Sequence, residues 1–102
     1  MVRFLITYDT PVDPDAFVDP YDKVHAPLTC RLPDVVSYTV HRIPRAVRGQ
    51  GYFQVVEVTW PSWEAVDAAF ASPEGRATAA DMVNLDAPTR SCLYEIPSTD
   101  NT

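Results

Sequence analysis

DPYDKVHAPLTCRLPDVVSY, residues 19–38, decides how the rest of the chain is read. It carries His25, one of 2 histidines, within an amphipathic pattern, then passes through Leu32-Pro33-Asp34 into a strand that holds Tyr38. At about 100° per residue, Phe17, Tyr21, Val24, Leu28 and Leu32 share one stripe, so this is a helix with one face to bury. His25 falls at the edge of that stripe, one turn after Tyr21, half turned toward the core. An imidazole beside a phenol is a group that moves protons near neutral pH. The plain alternative is a boundary histidine satisfied by a backbone group.

Outward from this stretch, the elements alternate. VRFLITY (2–8) places Val2, Phe4, Ile6 and Tyr8 on one face, with Leu5 and Thr7 behind, the pattern of a central strand. Asp13-Pro14 supplies a cap and a first helical position. The helix runs to about Arg31, bent or broken by Pro20 and Pro27, because an interior proline costs about 3 kcal/mol. Asp19-Pro20 is a second possible start. VVSYTVHRI (35–43) and YFQVVEVTW (52–60) are strands joined by PRAVRGQG (44–51) in an antiparallel hairpin. Ser62 caps a helix whose buried stripe is Trp63, Val66, Ala69 and Phe70. Ser72-Pro73-Glu74 restarts a helix to about Val83, and RSCLYEI (90–96) is the last strand.

The order is β-α-β-β-α-β: an α+β, ferredoxin-like chain with a four-stranded antiparallel sheet and its helices on one face. No element remains to cover the other face, where strands 1 to 3 still show apolar residues. A second copy packed face to face supplies the missing layer, so a homodimer is expected.

Composition narrows the partners. The 102 residues form a single domain, read as 1–97 with a polar tail at 98–102, and 46% hydrophobic content is ordinary for a globular chain. A formal charge of −6 argues against nucleic acid and anionic membranes, which need a basic footprint. The run Val2–Ile6 is too short for a signal peptide or a membrane span, so a cytoplasmic chain is expected, with Cys30 and Cys92 reduced and buried. Two lone cysteines give no zinc spacing, and Gly49, Gly51 and Gly75 fit no phosphate loop, so no metal or nucleotide cofactor is expected.

The string Tyr21, Val24-His25-Ala26-Pro27-Leu28, Leu32-Pro33, Ser37-Tyr38-Thr39-Val40 resembles the EthD family of small dimeric α+β barrel proteins. That family carries a tyrosine, a histidine followed by x-Pro-Leu, then Leu-Pro-Gly and a tyrosine. Phe70-Ala71-Ser72-Pro73-Glu74-Gly75-Arg76 and Ala79-Ala80-Asp81 are similar to it too, and the likeness covers roughly residues 2–96. Departures are Asp34 in place of glycine, Pro20 among helix formers, and Leu85 where an aromatic is common. The resemblance implies a cleft in each subunit, between sheet and helices, for a small, largely apolar organic ligand. It carries the motif roles to His25 and Tyr38, with Tyr21 and Asp81 as supports. Relatives of this kind include a protein linked to ethyl tert-butyl ether degradation, proteins labelled reductases and a methylmuconolactone isomerase. The wider barrels include cofactor-free monooxygenases and polyketide cyclases. The fold therefore leaves the reaction open.

Three functions follow for test. The first is a cofactor-free isomerase, cyclase or lyase on a carbonyl, lactone or phenolic substrate, with His25 as general acid/base and Tyr38 as donor to an oxyanion. The second is a cofactor-independent monooxygenase or accessory oxidoreductase. The third is a binding protein without turnover. Tyr21, Phe53, Trp60 and Asp81 are candidate substrate-binding residues. Against this, Tyr38, Phe53 and Trp60 also read as core, Trp63 as packing, Asp81 as a helix surface charge and His41 as structural. Arg42, Arg45 and Arg48 form a basic cluster that reads as a solvated loop, a contact to a partner subunit or a greeting to an anionic substrate.

Overall fold

The alternation in VRFLITY does become a strand, and the other elements follow in the expected order. In a computed structural model, which describes residues 1–97, the chain forms β1 (Val2–Tyr8), α1 (Pro14–Pro20), a π-helical turn (Tyr21–His25) and α2 (Ala26–Cys30). It continues as β2 (Ser37–Arg42), β3 (Gln54–Trp60), α3 (Trp63–Ala71), α4 (Pro73–Asp81), a 3-10 turn (Met82–Asn84) and β4 (Thr89–Glu95). The tail expected at 98–102 lies outside the described residues. The four strands form one antiparallel sheet in the order β2-β3-β1-β4, the ferredoxin-like arrangement. The ferredoxin-like α+β class expected from the sequence is the class observed.

Period two divides the sheet cleanly. Phe4 lies opposite Val58 and Leu93, and Ile6 opposite Val56 and Ser91, so these residues share the helix-covered face. Val2, Tyr8, Val56, Val58 and Trp60 are each at most 1% exposed, which places the core between this face and the helices. Each such side chain contributes roughly 1.5–3 kcal/mol on burial. The open face carries Leu5, Val55, Cys92 and Tyr94 beside polar groups, including an Arg3–Glu57 ion pair at 3.6 Å and a His41–Glu57 contact at 3.5 Å.

The first helical segment departs most from expectation. It begins where Asp13 accepts a hydrogen bond from the Ala16 N–H at 3.3 Å, with Pro14 next, so Asp19-Pro20 is not its start. Pro27 has no N–H to give, and its ring crowds the carbonyl one turn back at Lys23. The chain widens there: the Ala26 N–H reaches Tyr21 O, five residues back, and the turn is π rather than α. One residue is thereby inserted into the inward face. Phe17, Tyr21, His25 and Thr29 are buried, whereas Val24, assigned to the stripe by α periodicity, is 48% exposed.

Other corrections are local. Asp34 has φ 61°, in the left-handed region, which explains why glycine suits that position and why aspartate is tolerated. Ile43 has φ 54° and ends β2 at Arg42, while its N–H still donates to Phe53 O at 2.7 Å. Cys30 and Cys92 are free but exposed rather than buried, one on the outer side of α2, the other on the open sheet face. Of the expected α3 stripe, Val66 and Ala69 are buried, but Trp63 and Phe70 sit at the margin. The α3–α4 corner closes around Gly75, where a Cβ would strike Ala69 O and lie 2.7 Å from Phe70 O. No helix among the described residues is long and apolar enough to cross a membrane.

Candidate functional site

The π turn aims His25 inward, toward the C-terminal end of α4. There His25 Nδ1 lies 3.0 Å from Asp81 Oδ2. The two side chains are 6% and 10% exposed, so little water competes for this bond. Asp81 Oδ1 accepts a second bond from Asn84 Nδ2 at 2.9 Å, which holds the carboxylate in place. Behind the ring, Thr29 donates to the His25 carbonyl at 3.1 Å, and the Tyr21 ring lies 5.4 Å away between centroids. With an aspartate at Nδ1, the neutral imidazole carries its proton there and leaves Nε2 as the acceptor. Among the described residues Nε2 has no hydrogen-bond partner, and it is not one of the sealed, unpartnered polar atoms.

His25 forms part of the wall of a cavity of about 240 Å³ between the sheet and α2 and α4. Phe4, Ile6, Leu32, Val58, Phe70 and Met82 supply apolar lining, and Tyr8, Thr29, Thr78, Thr89 and Ser91 are the hydroxyl-bearing residues of the wall. That volume corresponds to about eight waters at 30 Å³ each, or one small organic molecule.

Of the residues singled out from sequence, His25 and Asp81 are thus brought together at the cavity. Tyr21 and Tyr38 are brought together with each other, hydroxyl to hydroxyl at 2.7 Å, but neither lines the cavity. Burial raises both phenols above the ordinary tyrosine range; their shared hydrogen bond raises Tyr21 further and lowers Tyr38. Arg42 lies 5.8 Å over the Tyr21 ring, binds Gln54 Oε1 at 2.9 Å and pairs with Asp22 at 3.0 Å. It therefore leaves the expected cluster with Arg45 and Arg48. Phe53 packs edge-on against Phe17, 5.6 Å between centroids, and Trp60 donates to Pro33 O at 2.9 Å. Both are core residues outside the lining of this cavity. Leu85, 5% exposed, is likewise core.

Tyr8, Thr29, Phe70 and Met82 were not among the sequence candidates. Tyr8 was within reach, since alternation places it on the same face as Phe4 and Ile6. Thr29 was not, because its inward position depends on the π turn. Among the described residues no group of three or more histidine, cysteine or acidic side chains is placed to hold a metal.

Residues 9–88 match the model of the EthD domain. An 11.0 kDa protein from the thcB–thcC intergenic region of Rhodococcus erythropolis is 33% identical over 87 residues, covering 83% of this chain and 84% of that protein. The crystal structure of an EthD family protein from Bacillus halodurans superposes with a TM-score of 0.86 at 27% identity, over 95% of this chain and 99% of the other. At lower identity the fold is shared with SnoaB, a cofactor-independent oxygenase from Streptomyces nogalater, with a TM-score of 0.66, 20% identity, and 99% and 97% coverage. It is shared as well with a dimeric ferredoxin-like protein from Thermobifida fusca, with a TM-score of 0.70, 16% identity, and 93% and 90% coverage. Motif, domain match and fold agree: this chain belongs to the EthD family.

Proposed function

We propose that this protein is a cofactor-free enzyme that moves a proton on a small carbonyl, lactone or phenolic substrate, with His25 as general acid/base. The observation that carries the reading is the buried Asp81–His25 pair at 3.0 Å on the wall of an apolar cavity. Asp81 orients the ring and stabilises the imidazolium that forms when Nε2 takes a proton. The apolar wall excludes water, which strengthens each electrostatic contact within it. Isomerisation, cyclisation and elimination all begin with such a transfer, worth about 10²–10⁴ in rate. The Tyr21–Tyr38 pair acts one layer back, fixing the π turn against β2, and Phe53 and Trp60 hold the sheet that backs it.

The likeness to SnoaB favours a second reading, cofactor-independent oxygenation, in which His25 removes a phenolic proton and the electron-rich substrate then reduces O₂. The first step is common to both. The working form is a homodimer joined through the open sheet face, where Leu5, Val55 and Tyr94 await cover and a neighbour of the same fold is dimeric. Two free, exposed cysteines fit a reducing, cytoplasmic setting.

The test is carbon-bound proton exchange in D₂O with a panel of small ketones and lactones, followed by NMR. Wild-type protein is expected to catalyse exchange on at least one member, and His25→Gln to lose about 10²–10⁴ of that rate with the fold intact. Equal rates in the two proteins, or no exchange by the wild type, refute His25 as the base.

A further inference from the structure

Five of the residues lining the cavity carry hydroxyls, and three of those hydroxyls are already spent. Thr29 donates to His25 O at 3.1 Å, Thr78 to Glu74 O at 2.8 Å and Thr89 to Ala87 O at 2.9 Å. Ser91 is solvent-exposed on the edge strand β4. Tyr8 is different. Its side chain is 1% exposed, wedged edge-on between Phe17 and Tyr21 at 5.1 and 6.0 Å between centroids. Among the described residues its hydroxyl meets only the Met82 thioether, at 4.0 Å. A thioether is a weak acceptor, so a buried O–H donor is left close to unpartnered, and buried donors are rarely left so without a use.

We propose that the Tyr8 hydroxyl holds an oxygen atom of the ligand, so that the cavity selects apolar molecules bearing a carbonyl or phenolic oxygen. The proposal deepens the proton-transfer reading and names the group that receives the charge. If Nε2 of His25 takes a proton from the carbon beside a carbonyl, the C–H pair becomes the new C=C bond. The carbonyl π pair moves onto oxygen, and the resulting enolate oxygen accepts from Tyr8. A donor aimed at a developing oxyanion in a dry site acts more strongly there than on the neutral ground state. Burial, with Tyr38 as a lesser influence, raises the Tyr8 phenol above the ordinary range, so it stays protonated and able to donate. Tyr38, the donor suggested by the motif, has its hydroxyl engaged with Tyr21 and lies outside the cavity lining. The role expected of Tyr38 is thereby transferred to Tyr8.

The experiment compares 1-naphthol with naphthalene, which lacks the oxygen, by NMR-detected titration of wild type, Tyr8→Phe, Met82→Leu and His25→Gln. Wild type is expected to prefer 1-naphthol. Tyr8→Phe should lose about three- to tenfold in 1-naphthol affinity, the worth of one neutral hydrogen bond, and keep its naphthalene affinity. Its Tm should hold or rise, because the change removes a poorly satisfied buried hydroxyl. Met82→Leu removes the weak internal acceptor and should leave the preference for 1-naphthol intact or stronger. A wild type that binds both probes equally, or neither up to its solubility limit, overturns the proposal. So does a Met82→Leu protein that loses the preference. His25→Gln separates the two readings: loss of proton exchange with the Tyr8-dependent preference retained supports both. A retained preference in a wild type that catalyses no exchange sinks the base while leaving Tyr8 standing.

Discussion

Replacing Asp81 by asparagine tests the geometry without a known substrate. The carboxylate bonds His25 Nδ1 at 3.0 Å and receives Asn84 Nδ2 at 2.9 Å on its other oxygen. An amide has only one oxygen. If it keeps that oxygen on the Asn84 amine, its NH₂ faces Nδ1, which must then accept, and the ring proton moves to Nε2. The imidazole would point its N–H, not its lone pair, at the cavity. A hydrogen bond to a charged group contributes about 1.5–3 kcal/mol, so loss of carboxylate support alone should cut a His25-dependent rate about 10- to 150-fold. The wrong tautomer adds to that loss. The readout is the long-range ¹H–¹⁵N spectrum of the histidines, which separates the two neutral tautomers directly. Wild-type His25 should show the proton on Nδ1, and Asp81→Asn should show it on Nε2. Adding Asn84→Asp should recover much of the original tautomer, because the new carboxylate takes the NH₂ and turns the amide oxygen back toward the ring. A wild-type ring protonated on Nε2 in its neutral form, or an unchanged tautomer in Asp81→Asn, would falsify the orienting role. Asp81→Ala leaves Nδ1 without a partner and should lower stability by about 1–3 kcal/mol, roughly 4–8 °C in Tm per kcal/mol.

The buried phenols set an alkaline limit. Tyr8 and Tyr21 are raised in the folded protein, so above about pH 10 the unfolded chain releases protons that the folded chain keeps. Stability is therefore full below that value and falls as pH rises, by up to about 1.4 kcal/mol per pH unit per phenol. Denaturant unfolding from pH 9 to 11 should give a shallower slope for Tyr21→Phe than for wild type, and parallel slopes would count against the coupling. Gly75→Ala should destabilise at the upper end of the roughly 1–3 kcal/mol typical of overpacking, because its Cβ meets backbone of α3 rather than a flexible side chain; a calorimetric Tm within a degree of wild type contradicts that contact. For assembly, light scattering should give twice the 11.4 kDa chain mass, and Leu5→Lys on the open face should reduce it toward one. A monomeric wild type at micromolar concentration excludes the proposed dimer.

Residues 2–8 read as a central strand on composition and period alone, and β1 is Val2–Tyr8. Local chemistry also decided the helix starts: Asp13, Ser62 and Ser72 cap as read, because a cap bonds a backbone N–H only two or three residues on. The element order, and with it the ferredoxin-like class, was legible for the same reason. The α4 carboxylate read both as a support of the site, by resemblance, and as a helix surface charge, and the packing of α4 against α2 decides between them by placing Asp81 on His25, a bond spanning 56 positions. Alternation placed Tyr8 with Phe4 and Ile6, but the commitment of the neighbouring hydroxyls, which leaves its own available, is a property of the assembled wall. His25 shows the division most clearly. An α-helical wheel put it at the edge of the apolar stripe and Val24 inside. The structure reverses the two, because Pro27 cannot donate and the chain answers with a π turn that inserts one residue into the inward face. Sequence periodicity assumes a constant angle per residue. Tertiary packing, by holding Tyr21 against Tyr38 and His25 against Asp81, selects the turn in which that angle changes.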